Sequence, residues 1–165
     1  AGPRLQCAMD LMVLTGQRVT DVLRLRLDAP RPDGIYFRQR KTGAQLIVEW
    51  TPELRTVVER CKTLVSVRAL TLMSGRSGKA PDYRTVRDQW NKACAAAGVR
   101  DAHMQDLRAM SGTAAKAQGH DAQKLLGHTA PGMTTRYLRD RTPPVVQGPS
   151  IGQILDVGQK RVRNQ

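Results

Sequence analysis

Aromatic residues make up only 4% of this 165-residue chain, so its core must rest on leucine, valine, alanine and methionine. Acidic residues are also scarce, with 14 Asp and Glu against 27 Lys and Arg. Cysteine is limited to Cys7, Cys61 and Cys94, an odd and widely spaced set with no C-x-x-C pair. That argues against a disulfide framework or a zinc ribbon and fits a reduced, cytoplasmic setting. No apolar run approaches the roughly 20 residues that span a bilayer, and no signal peptide opens the chain. Internal repeats and low-complexity tracts are absent as well.

What is present is positive charge. The formal net charge is +13, with a pI of about 10.7. A balance so far from neutrality repels itself in the folded state, and nucleic-acid phosphate is the leading candidate to offset it. A basic protein kept soluble by its charge, or one that docks on an acidic partner, is the plainer alternative. The basic residues run along the whole chain rather than in one tail, which favours a broad folded surface. The length suits one domain with a true core.

Periodicity predicts a helix over 4–14, with Leu5, Ala8, Met9, Met12 and Val13 on one face. Gly16 ends it, and a second helix begins near Arg18 or Val19, carrying Val19, Val22 and Leu23 inward. The Pro, Asp and Gly of 28–34 predict a turn. Strands are predicted over 35–39 and 45–50, paired as a hairpin with Lys41-Thr42-Gly43 in its connection. Thr51 and Pro52 start a helix as cap and first residue. The segment 68–73 is apolar and ambiguous, and 74–80 is a loop. Further helices are predicted from the cap Asp82 to Ala97, over 105–118 and over 121–126, with a last one capped by Thr134 or Thr135 and carrying Tyr137. The expectation is a mainly α chain with a small antiparallel sheet, an α+β domain.

Five residues stand out in order: Arg18 in Thr15-Gly-Gln-Arg-Val-Thr-Asp21, Lys41 in Lys-Thr-Gly, Arg108 in Asp106-Leu-Arg, His128 in Leu126-Gly-His, and Tyr137 nine positions after that histidine. Breaking a phosphodiester without a metal needs a nucleophile, positive charge on the non-bridging oxygens, an acid for the leaving oxygen, and close placement. Guanidinium suits the charge role, since it matches phosphate as a planar fork and stays protonated. Any one arginine here would ordinarily be a solvated surface charge; the ordered set raises Arg18 and Arg108 above that. Asp21, one helical turn after Arg18, can pin its guanidinium.

This ordered set resembles the catalytic domain of the tyrosine recombinases, and within them the phage and mobile-element integrases. The resemblance runs from about Arg4 to about Arg141. It implies that Arg18 and Arg108 hold the scissile phosphate and that Lys41 protonates the leaving oxygen. It implies further that His128 contacts the phosphate and helps position the tyrosine, and that Tyr137 attacks phosphorus to form a 3′-phosphotyrosyl bond. An acidic residue at the Asp21 position also matches the family. One departure stands at Gln105, where the family has histidine three residues before the second arginine. Glutamine can hydrogen-bond a phosphate but cannot take a proton. His103 does not replace it, because on a helix it lies about 140° from Arg108 while residue 105 lies about 60° away.

Arg40, Arg84, Arg87, Lys92 and Arg136 are candidates for contacts with the DNA backbone. Tyr36 and Tyr83 read as half-buried packing residues, although Tyr83 also sits among basic residues that could face DNA. His103, His120 and His128 have no metal-ligand pattern, and Ser74-Gly-Arg-Ser-Gly-Lys79 lacks the order of a phosphate-binding P-loop. No cofactor or metal is expected. Residues 1–141 are expected to form the catalytic domain. Residues 142–165 are expected to form a tail that passes to a neighbouring subunit through Ile151, Ile154 and Leu155, folds back on its own domain, or is disordered. An upstream DNA-binding domain is expected to be missing. The implied partner is double-stranded DNA, met as a homotetramer by the full protein and as a monomer by this part. A type IB topoisomerase, an inactive DNA-binding relative and a generic basic domain are the competing readings.

Overall fold

The computed structural model describes residues 1–65, 69–75 and 77–128. Its elements follow the order α1 (Pro3–Thr15), α2 (Val19–Leu23), β1 (Gly34–Arg38), β2 (Gln45–Glu49), α3 (Pro52–Leu64), α4 (Tyr83–Ala96), α5 (Met104–Ala117) and α6 (Ala122–Leu126). The fold is mostly helical with one two-stranded antiparallel sheet, as the sequence predicts. The helix predicted around Tyr137 and the tail lie outside the described residues. No helix among the described residues is long and apolar enough to cross a membrane.

Helix α1 lies at the centre, packed against α2, α3, α4 and α5. The sequence predicts one inward face, but the structure buries Leu5, Cys7, Ala8, Leu11, Met12 and Thr15, while Met9 and Val13 are only half-buried. A helix covered from several sides buries more than a single stripe, so counting residues on one face understates it. Val22 and Leu23 of α2 are buried as expected and Val19 is half-buried. Cys7 and Cys61 both lie in this core. Burial and its neighbour Cys7 push the Cys61 thiol up to about 12, so it stays protonated and behaves as a small apolar group.

The local signals around α3 hold closely. Thr51 Oγ1 accepts the Leu54 N–H at 3.2 Å, and Pro52 is the first helical residue. Asp82 stands at the N-cap of α4, but its carboxylate accepts no bond from the helix. The described part of the ambiguous 68–73 segment is neither helix nor strand: Thr71 bridges Arg26, and Leu72 and Met73 form a turn. The Leu72 N–H donates to the Leu25 carbonyl at 2.8 Å, and the Leu27 N–H to that of Leu70 at 3.3 Å, which places Leu72 and Met73 in the core.

The hairpin pairs Gly34 with Glu49 through to Arg38 with Gln45, and the Gln39 N–H closes its turn on the Ala44 carbonyl at 2.8 Å. Gly34 is required by close approach: a Cβ there would run into the Val48 carbonyl oxygen and come within 2.7 Å of Ile47 Cγ2. Gly34→Ala must therefore part the two strands at their open end. We expect it to destabilise the protein by about 1–3 kcal/mol, read as a lower urea midpoint. An unchanged midpoint would show that the strands can separate there without cost.

Candidate active site

Arg108 is the largest fully buried side chain among the described residues, at 1% exposure. A guanidinium removed from water is tolerated only when its donors find acceptors. Here Nη1 donates to the Gly16 carbonyl, just past the end of α1. Nη2 donates to the Leu126 carbonyl at the end of α6 at 2.6 Å, with His128 Nε2 at 3.3 Å. Carbonyls at helix C-termini carry partial negative charge, so they suit a cation.

Arg18 is the N-cap residue of α2. Its Nη1 donates to Gln39 Oε1 at 2.7 Å, and Gln39 is completely buried. The Gln39 amide nitrogen donates to Gln17 Oε1 at 2.8 Å and to the Leu126 carbonyl at 3.0 Å. Gln17 in turn donates to the Leu125 carbonyl at 2.8 Å. The Leu126 oxygen therefore receives both Arg108 and Gln39, and through Gln39 the two arginines belong to one network. Gly127 allows this. It caps α6 in the left-handed region at φ 58°, and a Cβ on it would sit 2.5 Å from Gln39 Nε2.

Sequence reasoning missed Gln17 and Gln39. Gln39 had a signal: it continues the inward alternation of Ile35 and Phe37, where a polar residue on an apolar face needs partners.

Asp21 faces Arg18, as expected from the sequence, but forms no hydrogen bond with it. Its Oδ2 is 4.0 Å from Arg18 Nη1, while Oδ1 accepts the backbone N–H of Arg40 at 3.1 Å. The buried carboxylate thus ties α2 to the hairpin turn. Thr42 Oγ1 anchors the same turn by donating to Gln39 Oε1 at 2.8 Å. Lys41, held between these two anchors, has an exposed side chain that makes no hydrogen bond or ion pair among the described residues.

His128 is buried. Arginine can only donate, so the ring nitrogen facing Arg108 accepts, which favours neutral imidazole with its proton on Nδ1. Burial first, then Arg108 and Arg18, lower its pKa from the ordinary 6.5. The neighbouring backbone is held at both ends: the His128 N–H donates to the Gln123 carbonyl at 3.0 Å, and Gln123 Nε2 donates back to the His128 carbonyl at 3.3 Å.

Arg18, Arg108, Gln105 and Tyr83 line one cavity of about 190 Å³. Gln105 is exposed on α5, one turn before Arg108. Tyr83 is 42% exposed and opens onto this cavity, so the packing reading for it is corrected: α4 begins at Tyr83 and presents it at the mouth of the site. Tyr36 does pack, with its hydroxyl donating to Gln45 Oε1 at 2.7 Å. His103 is exposed at the start of α5, where its N–H donates to Asp106 Oδ2 at 2.8 Å. Arg87, paired with Asp88 at 3.2 Å, lines a neighbouring concavity together with Gln105. Arg84 is exposed. Lys92 lines a separate apolar cleft against the start of α1 and is not brought to the site. Arg136 and Tyr137 lie outside the described residues.

Comparison with known proteins gives the family and the fold. The sequence matches the phage integrase family over residues 1–142. It is 31% identical over 157 residues to the integrase of Enterobacteria phage P21, covering 84% of this chain and 41% of that protein. The chain therefore spans about two fifths of the length of this curated relative. Among solved structures, the lambda integrase catalytic core superposes with a TM-score of 0.68 at 26% identity, covering 76% of this chain and 80% of that one. A lambda integrase dimer bound to a COC′ core site gives a TM-score of 0.72 at 25% identity, covering 88% of this chain and 45% of that one. The chain belongs to the phage integrase family, and its fold is that of a tyrosine recombinase catalytic domain.

Proposed function

We propose that this chain is the strand-breaking and rejoining part of a site-specific DNA recombinase that integrates or excises a mobile element. The observation that carries the reading is the cavity lined by Arg18 and Arg108, two guanidiniums joined through Gln39 and the Leu126 carbonyl. Such a pair is preorganised for the non-bridging oxygens of a phosphodiester, so little reorganisation is needed as charge develops. Family membership supplies the rest.

In the proposed reaction the Tyr137 hydroxyl gives up its proton to solvent water as its oxygen attacks phosphorus. A phosphotyrosyl bond to the 3′ side forms as the bond to the 5′ oxygen breaks. Lys41 protonates that leaving oxygen, for which its exposed ammonium on an anchored turn is suited. Arg18 and Arg108 hold the phosphate, with Gln105 beside them. The covalent bond stores the energy for rejoining, so the reversal needs no nucleotide cofactor. Arg40, Arg84, Arg87 and Arg136 contribute contacts with the DNA backbone. Residues 1–141 act as the catalytic domain and 142–165 as a tail. The full protein acts on double-stranded DNA as a homotetramer in the bacterial cytoplasm.

The direct test uses nicked suicide DNA from the element's own attachment site. A covalent adduct is expected on a denaturing gel, and it should disappear in Tyr137→Phe. Salt-sensitive binding without any adduct, in the full-length protein as well, would favour a binding-only relative.

Gln39 is a positioning residue in this scheme. Gln39→Leu keeps much of the volume but releases Arg18 and the Leu126 carbonyl. Single-turnover cleavage should fall by up to about 10²-fold, since small misplacements are costly in near-attack geometry, while the DNA Kd changes little. Equal cleavage by the variant would remove Gln39 from the scheme.

The His128 imidazole offers a third test. Its folded-state pKa lies below 6.5, so the stability it contributes is present above that value and is lost as pH falls into the acid range. A bound phosphate opposes the two arginines and should raise the pKa again. Ring NMR titration is expected to give a value below 6.5 in the free protein and a higher one with DNA. Identical values would mean that no phosphate binds near the ring.

A further inference from the structure

A second concavity, of about 310 Å³, lies between α2 and the hairpin, and Arg24, Arg26, Arg31, Arg38 and Arg40 line it. The only acids in its wall are Asp21 and Asp28. Asp28 is committed to Arg26, whose Nε and Nη2 both donate to its carboxylate at 2.8 Å. The Arg31 guanidinium lies over the Tyr36 ring, 4.2 Å from its centre. Asp21 Oδ1 is taken by the Arg40 backbone N–H, and Oδ2 faces Arg18. The side chains of Arg24, Arg38 and Arg40 are exposed and make no hydrogen bond or ion pair among the described residues.

We propose that this arginine-lined concavity is a second phosphate-binding site, separate from the Arg18–Arg108 cavity, which grips the backbone of the same DNA duplex beside the cleavage position. Three uncommitted guanidiniums around a hollow concentrate positive potential that an anion must relieve. Their planar forks match phosphodiester oxygens. The ligand is duplex DNA because the site is continuous with the cleavage chemistry: Arg40 lines the concavity and the next residue, Lys41, is the proposed acid. The Cα atoms of Arg40 and Lys41 are about 3.8 Å apart, so a duplex whose leaving oxygen meets Lys41 passes within reach of the Arg40 side chain. Asp21 stands between the two sites, with one oxygen facing Arg18 and the other on the turn. This inference rests on the proposed function for what the first site holds, but its test does not depend on cleavage.

The test compares Arg24→Gln/Arg38→Gln with Arg55→Gln/Lys62→Gln, which removes the same charge from α3. Both are built in the Tyr137→Phe chain, so that only binding is read, and thermal melts check folding. The Kd for a duplex of arbitrary sequence is measured across a salt series. Each lost phosphate contact lowers the log–log salt slope by about 0.9. The first variant should therefore lose nearly two units of slope and about tenfold or more in affinity near 0.1 M salt, while the α3 variant stays within about threefold of the parent. Equal slopes for the two variants would overturn the proposal, as would a parent protein that does not bind the duplex. An adduct assay that fails while the slope difference stands would sink the cleavage reading and leave this site in place. An adduct with equal slopes would do the reverse.

Discussion

The structure depends on how a buried cation is satisfied. Arg108 sits in the interior, held by carbonyls at the ends of α1 and α6. Those carbonyls accept from Nη1 and Nη2 and bring no formal charge of their own, so they place the cation without neutralising it. The same contacts lock three helices together, so the packing of α1, α5 and α6 and the placement of the charge are one event.

Gln39 extends this arrangement to the sheet. Its amide accepts from Arg18 and Thr42 and donates to Gln17 and Leu126. A neutral side chain can mediate between a cation, a hydroxyl and a carbonyl without adding charge of its own, which an acid could not do. Asp21 plays the complementary part at the edge of the site, where one of its oxygens holds the hairpin turn through the Arg40 N–H. The turn that carries Lys41 is thus tied down on both sides while the lysine remains exposed.

Much of this could be read from the residues alone. The helix stops at Gly16 and Gly127, the cap at Thr51 and the hairpin around Lys41 are local signals, carried by backbone preferences of single residues. The pairing of Arg18 with Arg108 and His128 was readable only through the order of motifs, because nothing local says that they meet. Gln17 and Gln39 escaped because glutamine is ordinarily a surface residue, and only the parity of Ile35, Phe37 and Gln39 hinted otherwise. Tyr83 was misjudged because its exposure depends on where α4 begins relative to α2. The second face of α1 was hidden for a similar reason: the number of neighbours around a helix is a property of the whole packing.

The bonds that define the site join distant parts of the chain. Arg108 and Gly16 are 92 positions apart, Gln39 and Leu126 are 87, and Gln17 and Leu125 are 108. Closing loops of that length costs chain entropy before any contact rewards it. During synthesis, α1, α2 and the hairpin emerge from the ribosome long before the carbonyl that unites them. A chain interrupted before residue 126 therefore lacks the carbonyl that Arg108 and Gln39 share, and the two arginines are not joined. The charged pocket is thus assembled only once α6 has been made, and no shorter piece of the chain presents both guanidiniums together.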